Sequence, residues 1–151
     1  MAETTKLKDR IRSDMNAARR GGAKDRARLL STILSDIRNR EIDVGHELED
    51  EEVVDVLAQA VKLRIEAAES MAARPERAEA ERTEAEILRE YLPPQLEEEE
   101  IREIVVAAID GGATNIGAVM GAVMPQVKGR AEGKEVNRIV REELEGRSSG
   151  D

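Results

Sequence analysis

The sequence predicts an all-α protein, and three observations carry that prediction. Apolar residues recur at three- and four-residue spacing in seven separate stretches. Glycine pairs and prolines punctuate the intervals between those stretches. No segment alternates apolar and polar residues over the length a half-buried strand needs.

Leu7, Ile11, Met15 and Ala18 form one helical stripe, stopped by Gly21-Gly22. A second helix is expected from Lys24 to Arg40, with Ala27, Leu30, Ile33, Leu34 and Ile37 on one face and a turn at Val44-Gly45-His46. The third, Asp50 to Ala73, presents Val54, Leu57, Val61, Ile65, Ala68 and Ala72. Proline is tolerated only in the first turn of a helix, so Arg74-Pro75 opens a fourth, running to Leu92. Its first half is so charged that it should stand partly exposed. Pro93-Pro94 marks the best domain boundary. Residues 1–93 are therefore expected to form a four-helix domain and residues 94–146 a small three-helix domain. Glu97 to Asp110 would bury Ile101, Ile104, Val105 and Ala108. Thr114 is expected to cap the next helix, which carries Ile116, Val119, Met120 and Val123 and is closed by Pro125. The last, Lys134 to Glu145, buries Val136, Ile139, Val140 and Leu144, leaving Arg147 to Asp151 as a loose tail.

Composition narrows the function. Tyr91 is the one aromatic residue, so the core must be aliphatic and the stacking platforms of single-stranded nucleic-acid binders are missing. The absence of cysteine removes disulfides, thiol nucleophiles and cysteine-type zinc sites. His46, the lone histidine, cannot build a multi-histidine metal site, and no Ser–His–Asp constellation is readable around it, since Ser31, Thr32 and Ser35 fall on a helix. No apolar run approaches the roughly 20 residues of a membrane span. The N-terminus lacks the apolar stretch of a signal peptide, so a cytoplasmic protein without a membrane partner is expected. The net charge is −9, unevenly spread: residues 1–46 carry +4, residues 47–100 carry −12 and residues 101–151 carry −1. Such a chain is a poor general polyanion binder, and DNA is not expected as a partner. Phosphate contacts would have to use the N-terminal helices or a C-terminal patch.

From Glu90-Tyr91-Leu92-Pro93-Pro94-Gln95-Leu96, and above all from Met120-Gly121-Ala122-Val123-Met124-Pro125-Gln126-Val127-Lys128-Gly129-Arg130-Ala131 followed by Val136-Asn137, the chain resembles the YqeY-like family. This is the stand-alone bacterial relative of the tail domain of GatB, the B subunit of tRNA-dependent amidotransferase. The resemblance runs from Leu7 to Leu144 and implies two helical parts. It also implies an accessory role with tRNA or a tRNA-handling enzyme as partner, because the amidotransferase tail helps hold tRNA while other domains catalyse. Family association links the fold to carbon–nitrogen ligation with glutamine as amide donor, but these residues carry neither a kinase-like nor an amidase domain. No reaction and no cofactor are therefore expected. Glu49, Glu97 and Glu132 stand where the family tends to place Thr, Ser or Asp, side chains that cap a helix start better, by about 1 kcal/mol.

The sharpest candidate site is the loop from Lys128 to Gly133 with the helix that follows. Lys128, Arg130, Lys134, Arg138 and Arg141 face only Glu132 and Glu135 within that stretch, a local +3. Gly129 and Gly133 would let a phosphate backbone come close, arginine grips phosphate in a bidentate way, and a helix start offers backbone N–H groups to an anion. An ordinary helix-to-helix turn explains the same residues. Asn137 would bond the preceding loop or a ligand. Gly117 and Gly121, with Met120 and Met124, read as core packing or as an adaptable surface. Arg10, Arg12, Arg19, Arg20, Lys24, Arg26 and Arg28 form an N-terminal basic cluster broken by Asp9, Asp14 and Asp25. It is a solvated face or a contact for RNA or an acidic partner. Glu97 to Glu100 suit a helix N-terminus better than a cation. A protein–protein adaptor using the acidic fourth helix or the N-terminal helices is the alternative to RNA binding.

Overall fold

The computed structural model describes residues 5–149, and among them it contains seven helices and no strand. The chain divides into two compact units, Met1–Leu92 and Pro93–Asp151.

In the first unit, α1 (Leu7–Arg20) and α2 (Lys24–Val44) form one helical hairpin, and α3 (Asp50–Ser70) and α4 (Pro75–Arg89) form another. Ile11, Leu30, Ile33, Ile37, Leu57 and Leu88 are fully buried at their junction. Helix α2 runs four residues past its expected end, because the stop is Gly45 rather than the end of the apolar stripe. Gly45 takes the left-handed conformation (φ 80°) that only glycine adopts without cost, and its N–H closes on the Glu41 carbonyl at 2.8 Å. The extra turn buries nothing, and Ile42 stands 71% exposed on it. Helix α3 ends at Ser70, so Ala72 lies outside it and is exposed. Its buried stripe begins at Val53 rather than Val54. Helix α4 ends at Arg89, leaving Tyr91 and Leu92 in the following turn. Its charged first half is exposed as the sequence predicts, with Ala78 and Ala85 the small residues that let it lie against the core.

In the second unit, α5 (Glu98–Asp110), α6 (Ile116–Val127) and α7 (Gly133–Ser149) pack around Ile101, Val105, Val119, Val123, Ile139 and Val140. Three expectations need correction. Asn115 caps α6 in place of Thr114, its side-chain oxygen accepting the Ala118 N–H at 2.9 Å. Pro125 lies inside α6 rather than closing it. The missing N–H forfeits one bond in the last turn, and burial of Val127 one turn beyond Val123 holds the helix together. Helix α7 reaches Ser149, so Arg147 is helical and pairs with Asp110 of α5 at 2.9 Å; Gly150 and Asp151 lie outside the described residues.

Candidate nucleic-acid interface

The loop between α6 and α7 has its shape fixed from within the second unit. Gly129 is buried and left-handed, with φ 74°, and its carbonyl accepts the Gln95 side-chain amide at 2.9 Å. The Arg130 carbonyl accepts the Leu96 N–H at 2.8 Å, and the Arg130 guanidinium donates to the Pro94 carbonyl at 3.1 Å. Arg130 and Gln95 thus clamp the segment after Pro93 onto the loop. Nothing in the spacing of the sequence ties Gln95 to a loop more than thirty residues away; only the folded unit does.

The other candidates divide. Lys128 and Lys134 are exposed at either end of the loop. Gly133 is the first residue of α7 with an ordinary helical backbone, and a methyl group there would meet Met124 only at 3.8 Å, so no geometric demand selects glycine. Asn137 accepts the Arg141 guanidinium at 2.8 Å, one helical turn away, so each holds the other. Arg138 is drawn elsewhere: it pairs with Glu98 at 3.2 Å, Glu142 at 2.8 Å and Glu135 at 3.7 Å. Arg102 sits on the same acids, 2.9 Å from Glu98, 3.0 Å from Glu142 and 2.9 Å from Glu143. The guanidiniums of Arg138 and Arg102 hold the Glu98 carboxyl below its ordinary range, and Arg102 and then Arg138 do the same for Glu142. The local +3 of the sequence is therefore offset in space by carboxylates of α5 and α7, which draw Arg138 away from the loop.

On α6, Met120 and Met124 pack at the edge of the core, whereas Gly117 and Gly121 lie on the solvent side. The Glu97–Glu100 run serves the start of α5: Glu100 accepts the Glu97 N–H at 3.1 Å and Glu98 pairs with the two arginines. His46 is exposed, with Nδ1 2.9 Å from the Glu47 carbonyl oxygen.

The N-terminal basic cluster is split by the fold. Arg10 lies over the Tyr91 ring, 4.8 Å from its centroid, and Arg26 pairs with Glu90 at 2.8 Å. Arg12, Arg19, Lys24 and Arg28 turn instead into an open groove between α1 and α2, whose two clefts measure about 490 and 420 Å³ and share Ser31 and Ser35. Arg38 lines its second cleft and Thr32 its first. The hydroxyl residues and Arg38 were not part of the cluster read from the sequence. The signal was present, since Lys24, Arg28, Ser31, Ser35 and Arg38 recur at helical spacing, but α1 supplies the opposite wall only once the hairpin closes.

Two helical units with charged surfaces and aliphatic cores define a small all-α module. The chain belongs to the YqeY-like protein family, whose model matches residues 8–144. No curated protein matches it.

Proposed function

We propose that the chain is a non-catalytic RNA-binding accessory module, comparable in role to the tail domain of the amidotransferase B subunit, that offers its α6–α7 loop to RNA phosphate. The observation that supports the reading is the clamped loop. Gln95 and Arg130 hold its backbone, so the segment that carries Lys128 and Lys134 has little backbone ordering left to lose at binding. tRNA is the partner that the family resemblance favours.

The clamp also changes the choice of variant. Charge reversal at Arg130 would remove the bond to Pro94 and confound folding with binding, so the informative pair is Lys128→Glu with Lys134→Glu. A tRNA pool titrated across salt should bind the natural protein with a steep salt dependence. The double variant should bind more weakly, with a logarithmic salt slope shallower by about 1.5, two contacts at roughly 0.7–0.9 each. Unchanged affinity and slope would exclude the loop. No tRNA binding at low salt would overturn the RNA reading in favour of a protein adaptor, which a pull-down after nuclease treatment would then identify.

A further inference from the structure

We propose that the groove between α1 and α2 is a separate binding surface for a phosphate backbone, with RNA as its occupant. The identity of the strand as RNA rests on the proposed function; the groove itself rests on its own geometry.

Positive charge is concentrated there without being neutralised. Arg19, Lys24, Arg28 and Arg38 are exposed, and none makes an ion pair among the described residues. Arg12 joins them with only a long 3.5 Å contact to Asp9, both side chains being more than half exposed. Outside the groove Arg26, Arg64, Arg102, Arg138 and Arg147 sit on carboxylates, and the other cations without an ion pair, among them Lys62, Arg74 and Lys134, do not line it. The α2 cations also stand close to one another: Lys24 and Arg28 are one turn apart, a like-charge spacing that disfavours a helix. A merely solvated face gains nothing from that repulsion. An anion lying across the groove relieves it.

The lining chemistry matches phosphate rather than protein. Ser31, Thr32 and Ser35 place hydroxyls between the two ends of the cationic row, and hydroxyls are phosphate and ribose partners. Thr32 donates its own hydrogen to the Arg28 carbonyl at 3.1 Å, which leaves its oxygen as an acceptor, suited to a ribose hydroxyl. Of the apolar members of the walls, Ala27, Met15 and Ile37 are buried in the unit's core and Leu34 alone is left partly open, a smaller apolar surface than the pocket that the anchor residue of a protein partner fills. From Lys24 to Arg38 it extends about 21 Å along α2 at 1.5 Å per residue, long enough to follow several phosphates of one strand. Its positive character ends at Lys8, which Glu41 and Glu47 hold at 2.8 and 2.9 Å. With no aromatic side chain in the lining, contact to the backbone carries no base preference.

The test uses the full chain in three forms: natural, Arg19→Glu/Arg28→Glu, and Lys128→Glu/Lys134→Glu. Each is titrated with tRNA, with inorganic tripolyphosphate and with poly-glutamate, after circular dichroism and thermal melting have shown unchanged folding. A Ser31→Ala/Ser35→Ala variant reads the hydroxyls without altering charge. The expected result is about tenfold weaker tRNA binding and a shallower salt slope in the groove variant, with a smaller loss in the serine variant. That loss standing alone, with the loop variant inert, supports the groove and overturns the loop site. Full tRNA affinity in the groove variant, with loss in the loop variant, overturns the groove. Tripolyphosphate bound by the natural protein without tRNA, or poly-glutamate preferred to tRNA, overturns RNA as the occupant.

Discussion

At the scale of single residues, Tyr91 ties the end of α4 into the first unit by three contacts at once. Its ring is buried, its hydroxyl donates to Asp14 at 2.5 Å, and Arg10 covers its face. Burial, and next the Asp14 carboxylate, push the phenol up to about 12 from an ordinary value of 10.0. The folded state therefore binds that proton more tightly than the unfolded chain. Its stabilising effect is complete below about pH 10 and disappears as pH rises from there toward 12. Since no other aromatic residue contributes, tyrosinate absorbance reads this group alone. The titration midpoint should lie near 12 in the folded protein, near 10 in denaturant, and lower in Asp14→Asn than in the natural protein. A folded midpoint at 10 would mean that the phenol is open to water. Gly129 shows the same dependence on surroundings in backbone form, since its left-handed φ of 74° costs an ordinary residue about 1–2 kcal/mol.

At the scale of elements, Glu49 and Glu97 at the starts of α3 and α5 work through a second glutamate. Glu52 accepts the Glu49 N–H, and Glu100 accepts the Glu97 N–H, each at 3.1 Å, so a donor at each helix start is satisfied from the third helical position. Glu100→Ala should destabilise the second unit by about 0.5–1.5 kcal/mol, and Glu100→Gln, which keeps an acceptor, by less. Equal losses in urea unfolding would assign the effect to charge at the helix N-terminus. Periodicity ended α6 at Pro125 because a ring cannot donate, while the buried Val127 beyond it decided otherwise.

At the scale of the molecule, a net charge of −9 conceals different arrangements of the same residue types. In the second unit Arg102 and Arg138 bind α5 to α7 through Glu98, Glu142 and Glu143. Glu98 and Glu142 are both held below their ordinary range. A depressed carboxylate stabilises the fold above its unfolded value of about 4.3, and that contribution is lost as pH falls through the folded value. Thermal melting of the protein should therefore weaken as pH drops below about 4. Arg102→Gln should lower the neutral-pH melting temperature and flatten that acid dependence. An identical acid profile in the variant would show that the network is solvent-screened and contributes nothing measurable. In the first unit Lys8, Arg26 and Arg64 are paired with carboxylates as well, whereas Arg19, Lys24, Arg28 and Arg38 along the α1–α2 groove make no ion pair among the described residues.

By itself the sequence determined the helical class, the aliphatic core and the family, because helical periodicity, glycine and proline stops, and the Met120–Ala131 stretch are local properties that need no neighbour to be read. Tertiary structure alone decided which charges remain available. Arg130 belongs to a clamp because Pro94 lies beside it, and Arg138 to a network because Glu98 does. Arg10 and Arg26 leave the basic cluster for Tyr91 and Glu90, while Arg38 and three hydroxyls join it. The reason is one of range. A helix is specified by contacts three and four residues apart, whereas the field at a surface is the sum over charges that chain order separates and packing brings together.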